Sequence, residues 1–167
     1  MTEESKRIEI MRIREATVND IPLLAIHHRK MFEEIWENKG EDIDRSIFAE
    51  IERAYIEKLR RQLQDCSCKA WVIEDEHRVI ASGAISIVSF VPTPQDLSSN
   101  VAYLHSVYTA KDQRNNQCAK RIVKQAVHYC QANGIRRIIL NSSEAGRPIY
   151  EKIGFKPAPD IMKLLLE

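Results

Sequence analysis

The sequence predicts a mixed α/β fold: one mostly antiparallel sheet that also holds a parallel pair, with helices on both faces. Three observations lead there. The hydrophobic period switches between strand-like and helix-like values in the order β-α-α-β-β-β-α-β-α-β. Three consecutive middle strands are joined without a helix, which favours antiparallel pairing, whereas the fourth and fifth are separated by a long helix, and such a crossover favours parallel pairing. Finally, 167 residues suit a single domain over residues 1–167, since one core commonly serves about 50–200 residues.

Each element has its own signal. "MRIREAT" alternates Met11 and Ile13 with Arg12 and Arg14, as a strand with one buried face does. Thr17 offers an N-cap oxygen with Asp20 three positions on, and Leu23, Leu24, Ile26, His27, Met31 and Phe32 follow at near-helical spacing, so a first helix runs to about Phe32 or Trp36. A polar break containing Gly40 precedes Ile47, Ile51, Ala54, Tyr55 and Leu59, the stripe of a second helix that reaches about Gln64 and pairs with the first. "KAWVIED" and "RVIASGAISIVSFV" read as a hairpin turning at Asp75, Glu76 and His77. Pro92 and Pro94 open a loop before the fourth strand, "VAYLHSVYT". Apolar positions 119, 122, 123, 126, 127 and 130 then mark a long helix from about Asn116 to Ala132, closed by Asn133 and Gly134. "RRIILN" is a fifth strand, "GRPIYEKI" a short helix with Pro148 in its first turn, and "DIMKLLLE" a last strand.

Composition excludes several classes. With 25 Lys and Arg against 24 Asp and Glu, the formal charge is +1, so no global field draws the chain to nucleic acid or to an anionic membrane. A nucleic-acid face built on Lys120, Arg121, Arg136 and Arg137 lacks interleaved aromatics. The longest apolar stretch, residues 79–91, falls short of the roughly 20 residues needed to span a bilayer, and the start "MTEESKR" has no signal-peptide core, so a cytoplasmic location is expected. Cysteines at 66, 68, 118 and 130 form neither a C-x-x-C pair nor part of a His cluster, so reduced thiols and no metal site are expected.

"RNNQCAKRI", residues 114–122, has the outline of a phosphate-cradling turn feeding a helix, yet it contains no glycine. A helix N-terminus presents unpaired N–H groups and the positive end of the macrodipole, a ready anion site whose ligands are backbone. Side chains there can vary if the turn conformation is reachable. Glycine in place of Gln117 would allow positive φ or close approach, so Gln117 is expected either to lie in the αR region or to leave looser contacts. Asn115 and Asn116 tolerate left-handed conformations and can donate hydrogen bonds to phosphate.

Taken together, "AYLHSVYT", then Arg114 with Ala119 five residues later, then "EAGRPIYEKIGF" resemble the GNAT superfamily of acyl-CoA-dependent N-acyltransferases. The resemblance spans Arg12 to Leu166, including the element order. The family's R/Q-x-x-G-x-G/A signature reads here Arg114, Asn115, Asn116, Gln117, Cys118, Ala119, with Gln117 in place of the first glycine. The resemblance implies a splayed parallel pair in the sheet and direct transfer of acetyl from acetyl-CoA to an amine, with no metal. The cofactor contacts it implies are Val107, Tyr108 and Thr109, the turn Arg114 to Ala119 with Lys120, and Asn141. The partners it implies are a small-molecule or peptide amine acceptor, with a homodimer left open.

An alkyl amine with pKa near 10 is only about 0.1% neutral at pH 7, so a base must take its proton. His105 on the fourth strand, with an ordinary pKa near 6.5, is one candidate, and Glu33 or Glu34 the others; His105 read structurally is a buried histidine bonded to backbone. Strand parity places His105 on the same sheet face as Val107 and Thr109. The departing thiolate needs an acid, and Tyr150 matches the family's; read structurally it is an aromatic anchor against Phe155. Asn141, Ser142 and Ser143 either line the channel or cap the next helix. Cys118 reads as a small residue facing the inner side of the loop. Glu33, Glu34, Glu37, Glu41 and Asp42 make the link between the first two helices acidic, which suits a cationic amine or is a solvated face. The competing reading is a CoA-binding or regulatory module that keeps the fold and has lost activity, motivated by Gln117.

Overall fold

The computed structural model describes residues 11–166 apart from His77. The start "MTEESKR", the His77 position of the hairpin turn and Glu167 lie outside the described residues.

Five strands form one sheet in sequence order: β1 (Arg12–Glu15), β2 (Cys68–Asp75), β3 (Arg78–Ser89), β4 (Asn100–Thr109) and β5 (Arg137–Leu140). The first three pairings are antiparallel, and β4 with β5 is parallel. Helices α1 (Ile21–Lys39) and α2 (Ser46–Gln64) cover one face, while α3 (Cys118–Ala132) and the short α4 (Arg147–Ile153) cover the other.

The helix boundaries have identifiable causes. A 3-10 turn at Val18–Asp20 leads into α1, and the Thr17 N–H donates to Asp20 Oδ2 at 2.7 Å. Helix α1 runs past Trp36 and stops where Gly40 turns left-handed at φ 66°. Gly134, at φ 69°, follows α3, with the Ile135 N–H donating to the Cys130 carbonyl at 2.9 Å.

Alternation along the strands divides the interior into two cores. Trp71, Ile73, Ile85 and Leu104 pack with Ile122, Val123, Ala126 and Cys130 of α3. Ala70, Val72 and Ala84 face the other way, onto Leu24, Ala25, Tyr55 and Leu59 of α1 and α2. A Cβ on Gly83 would come within 2.5 Å of Ile122 Cγ2, so α3 lies against β3 at a distance only glycine allows.

One expected element is missing. "DIMKLLLE" forms no strand over its described residues, and Ile161, Met162, Leu164, Leu165 and Leu166 are exposed. An apolar run forms no strand without a paired edge and a face to bury, and this one holds a single β-branched residue, Ile161.

Candidate active site

The strand, turn and helix around residue 110 set the site. Pairing of β4 with β5 covers only Val101–Leu104 against Arg137–Leu140, so β4 continues alone on that side from His105 to Thr109. An open strand edge can accept an extended amide chain as an added strand. On its other side, β4 pairs with β3 through a bulge: the register passes from Ser82–Tyr108 to Ala84–His105, leaving Ser106 and Val107 opposite Gly83. Ser106 takes φ 57° there.

That bulge overturns the parity argument. His105 and Ser106 both point toward α1 and α2, since His105 Nδ1 lies 2.9 Å from Ser106 Oγ and Ser106 Oγ lies 2.8 Å from His28 Nδ1. Val107 instead packs on the α3 side, 3.2 Å from the Cβ position at Gly83, and Tyr108 returns to meet His27, ring centroids 4.8 Å apart. His105 and Val107 are therefore on opposite faces, because the extra residue breaks the two-residue repeat.

Beyond β4 the chain makes a 3-10 turn (Lys111–Gln113) and reaches the glycine-free loop. Asn115 has φ 69°, and Gln117, the N-cap of α3, has φ 57° and ψ 16°. The expectation of an αR residue or a looser loop at Gln117 is replaced by a third outcome: glutamine holds the left-handed conformation itself. The turn conformation a glycine would favour is thus present, directly before a 15-residue helix whose first N–H groups have no partner within it. Cys118 is turned into the α3 core and is 2% exposed, with its thiol pushed up mainly by burial. Its Sγ also reaches back to the Asn116 carbonyl of the turn at 3.8 Å. Asn116 Nδ2 donates to Gln113 Oε1 at 3.3 Å. Ala119 and Lys120 occupy the first turn of α3.

Arg114 is anchored on two sides. Its Nε donates to the Thr109 carbonyl at 3.3 Å, and its Nη2 donates to Glu34 Oε2 at 2.5 Å. Glu34 therefore faces the turn, whereas Glu33, Glu37, Glu41 and Asp42 line a cavity of about 360 Å³ with Trp36, Arg45 and Phe48. The expected acidic group is split between two places.

His105 sits in a polar chain that sequence reasoning missed. Its Nε2 lies 2.9 Å from Ser86 Oγ, which accepts from Lys58 Nζ at 2.9 Å, and Tyr55 Oη lies 3.3 Å from Nδ1. His28 stacks on Tyr55 with centroids 3.9 Å apart. Desolvation, then the charge of Lys58, then His28, push His105 down to about 3, far from the 6.5 that recommended it as a base. Its partners are side chains, in place of the backbone expected for a structural histidine. The signal available in advance was the His27–His28 pair on a helix face that is otherwise apolar.

Tyr150 sits on α4 with its ring 5.9 Å from that of Phe155, and burial raises its hydroxyl above the ordinary value. Asn141 donates from Nδ2 to Tyr103 Oη at 2.9 Å, joining the end of β5 to β4. Ser143 closes the turn that leads into the next helix, whose N-cap is Gly146: its Oγ accepts from the Gly146 N–H at 3.2 Å and its carbonyl from the Arg147 N–H at 3.0 Å. Two of the arginines considered for nucleic acid are engaged within the fold, Arg137 with Asp96 at 2.7 Å and Arg121 with the Met11 carbonyl at 2.7 Å. Among the described residues, no helix is long and apolar enough to cross a membrane.

The family model "Acetyltransferase (GNAT) family" matches residues 28–155. Among solved structures, a predicted acetyltransferase with acetyl-CoA from Clostridium acetobutylicum is 26% identical, with a TM-score of 0.80 over 93% of this chain and 96% of that one. A GCN5-related N-acetyltransferase from Ralstonia eutropha JMP134 is 22% identical, with a TM-score of 0.83 over 93% and 98%. Glucosamine-6-phosphate N-acetyltransferase from Arabidopsis thaliana is 20% identical, with a TM-score of 0.60 over 94% and 99%. No curated protein matches the chain.

Proposed function

Since the chain belongs to the GNAT acetyltransferase family, we propose that it is an acetyl-CoA-dependent N-acetyltransferase acting on a primary amine by direct transfer. The observation that carries this is the left-handed turn at Asn115 and Gln117 ahead of α3, beside the unpaired edge of β4. The two features suit the two parts of the co-substrate. The turn and helix N-terminus receive the pyrophosphate, with Arg114, Asn115, Asn116 and Lys120 around it. The edge of β4 at Val107, Tyr108 and Thr109 receives the pantetheine amides as an added strand, with Asn141 across the gap at the end of β5.

In this reading the amine attacks the acetyl carbonyl, and a β4 backbone N–H stabilises the oxyanion. Tyr150 donates its proton to the departing thiolate of coenzyme A; a hydroxyl held protonated by burial suits that role. The amine proton leaves through His105 by relay: Ser106 Oγ takes up a proton as it hands its own to Nδ1, the ring hands its Nε2 proton to Ser86 Oγ, and solvent is the final acceptor, so neutral His105 stores no charge. The cavity at Glu33, Trp36 and Glu37 gives a cationic acceptor its complement. The free thiols support a cytoplasmic setting.

Two measurements test this. Calorimetry with acetyl-CoA should give a saturable heat, and its absence at millimolar ligand would end the assignment. A thiol-release screen over polyamines, amino acids, aminoglycosides and peptide N-termini should find an acceptor. With that acceptor, Tyr150→Phe should lower turnover by about 10- to 10⁴-fold with unchanged co-substrate affinity. Acetyl-CoA binding with no turnover for any acceptor class would favour the regulatory module instead.

A further inference from the structure

We propose that Glu34 is a positioning residue: from α1 it fixes the Arg114 guanidinium ahead of the α3 N-terminus, so that the helix on one face of the sheet tunes the anion site on the other side of β4. The proposal rests on reading the 114–120 turn as an anion site.

The guanidinium is a planar fork, so holding one edge orients the rest. Here the Nε–Nη2 edge is held by the chain itself, Nε by the Thr109 carbonyl at 3.3 Å and Nη2 by Glu34 Oε2 at 2.5 Å. The Nη1 donors are left to face a ligand. Arg114 is 44% exposed and would otherwise sample many rotamers, whereas Glu34 is 18% exposed and sits inside a long helix. The more rigid partner thus restrains the more mobile one. Neighbouring carboxylates do not share this task, because Glu33 lies 3.8 Å from Arg29 and Glu37 lies 3.5 Å from Arg45. A bare carboxylate beside an anion site would repel the anion, and Lys111 Nζ, 4.0 Å from Glu34 Oε1, offsets that charge.

The test is calorimetric titration with coenzyme A at about 0.5 M salt, where the Debye length is roughly 4 Å and long-range repulsion from Glu34 is screened. Glu34→Gln keeps the shape and loses the strong acceptor, so it should weaken coenzyme A binding by about 3- to 10-fold. Binding of pantetheine, which has no phosphates, should not change. In an Arg114→Ala background Glu34→Gln should alter affinity by less than about 2-fold, because there is no guanidinium left to position. Arg114→Lys gives a second route: it keeps the charge without the fork, should show a loss of the same size, and should gain nothing from Glu34. Unchanged or tighter binding in Glu34→Gln, or an equal loss in the Arg114→Ala background, would overturn the proposal and leave the site assignment standing. No coenzyme A heat from the unaltered chain would instead remove the anion site, and this role with it.

Discussion

Replacing Gln117 by glycine should make the protein more stable, although glycine in the interior of a helix does the reverse. Gln117 occupies φ 57° and ψ 16°, where a Cβ crowds the following carbonyl at a cost of about 1–2 kcal/mol. Glycine removes that cost but carries more unfolded-state entropy, about 0.5–1 kcal/mol. The difference is a net gain of roughly 0.5–1 kcal/mol, and for a chain of this size 1 kcal/mol moves Tm by about 2–4 °C. The expected rise is therefore about 1–4 °C by scanning calorimetry. A graded series sharpens the test. Gln117→Asn should gain less than glycine, Gln117→Ala should stay near the parent, and Gln117→Val, β-branched in a left-handed position, should fall below it. Acetyl-CoA affinity should hold or rise slightly in the glycine variant, since the backbone is already in the required conformation. A lower Tm for Gln117→Gly would mean that the glutamine side chain contributes more than its backbone strain costs, and the reasoning about this turn would fail.

Two further outcomes follow from packing and burial. Gly83→Ala places a methyl within 2.5 Å of Ile122 Cγ2 and should cost about 1–3 kcal/mol in urea unfolding; combining it with Ile122→Ala should be markedly less than additive. His27, His28 and His105 are pushed down to about 4, 4 and 3, chiefly by desolvation. Below 6.5 the unfolded chain therefore binds up to three more protons than the folded one, so stability present at pH 7 should be lost steadily as pH falls from about 6.5 toward 4. Tm against pH should show that slope, and His105→Asn should reduce it by about one proton; a flat profile between pH 6.5 and 5 would refute the burial of these rings.

The elements themselves were legible because each rests on local periodicity: the stripe from Ala119 to Cys130 and the alternation in "MRIREAT" carry their own evidence. The tail "DIMKLLLE" shows the limit of that reading, since strand formation depends on a neighbouring edge that the local residues do not encode. The bulge at Ser106 was hidden for the same reason. "AYLHSVYT" alternates well enough to look regular, and only the partner strand, with Gly83 opposite two residues, shows where the repeat breaks. For the candidate site, the turn at 114–120 was legible in position and not in conformation. Glutamine is a poor left-handed residue, and it is the strand before and the helix after that hold it there. The chain His28–Ser106–His105–Ser86 joins residues from α1, β4 and β3, a proximity no spacing in the sequence announces.

The sheet divides the interior into two cores with different tenants, and this bears on how the protein could change over time. Val107, Ile122 and the start of α3 belong to one, Tyr55, Leu59 and Leu24 to the other, and the strands between them act as a shared wall. Substitutions in the α1–α2 layer can reshape the cavity at Trp36 without repacking the layer that carries the turn before α3. Under the proposed function, an acceptor range could then drift, or be bred in the laboratory, while the co-substrate grip stays put. The Glu34–Arg114 pair ties α1 to the turn before α3, and a library built on α1 and α2 should leave Glu34 alone.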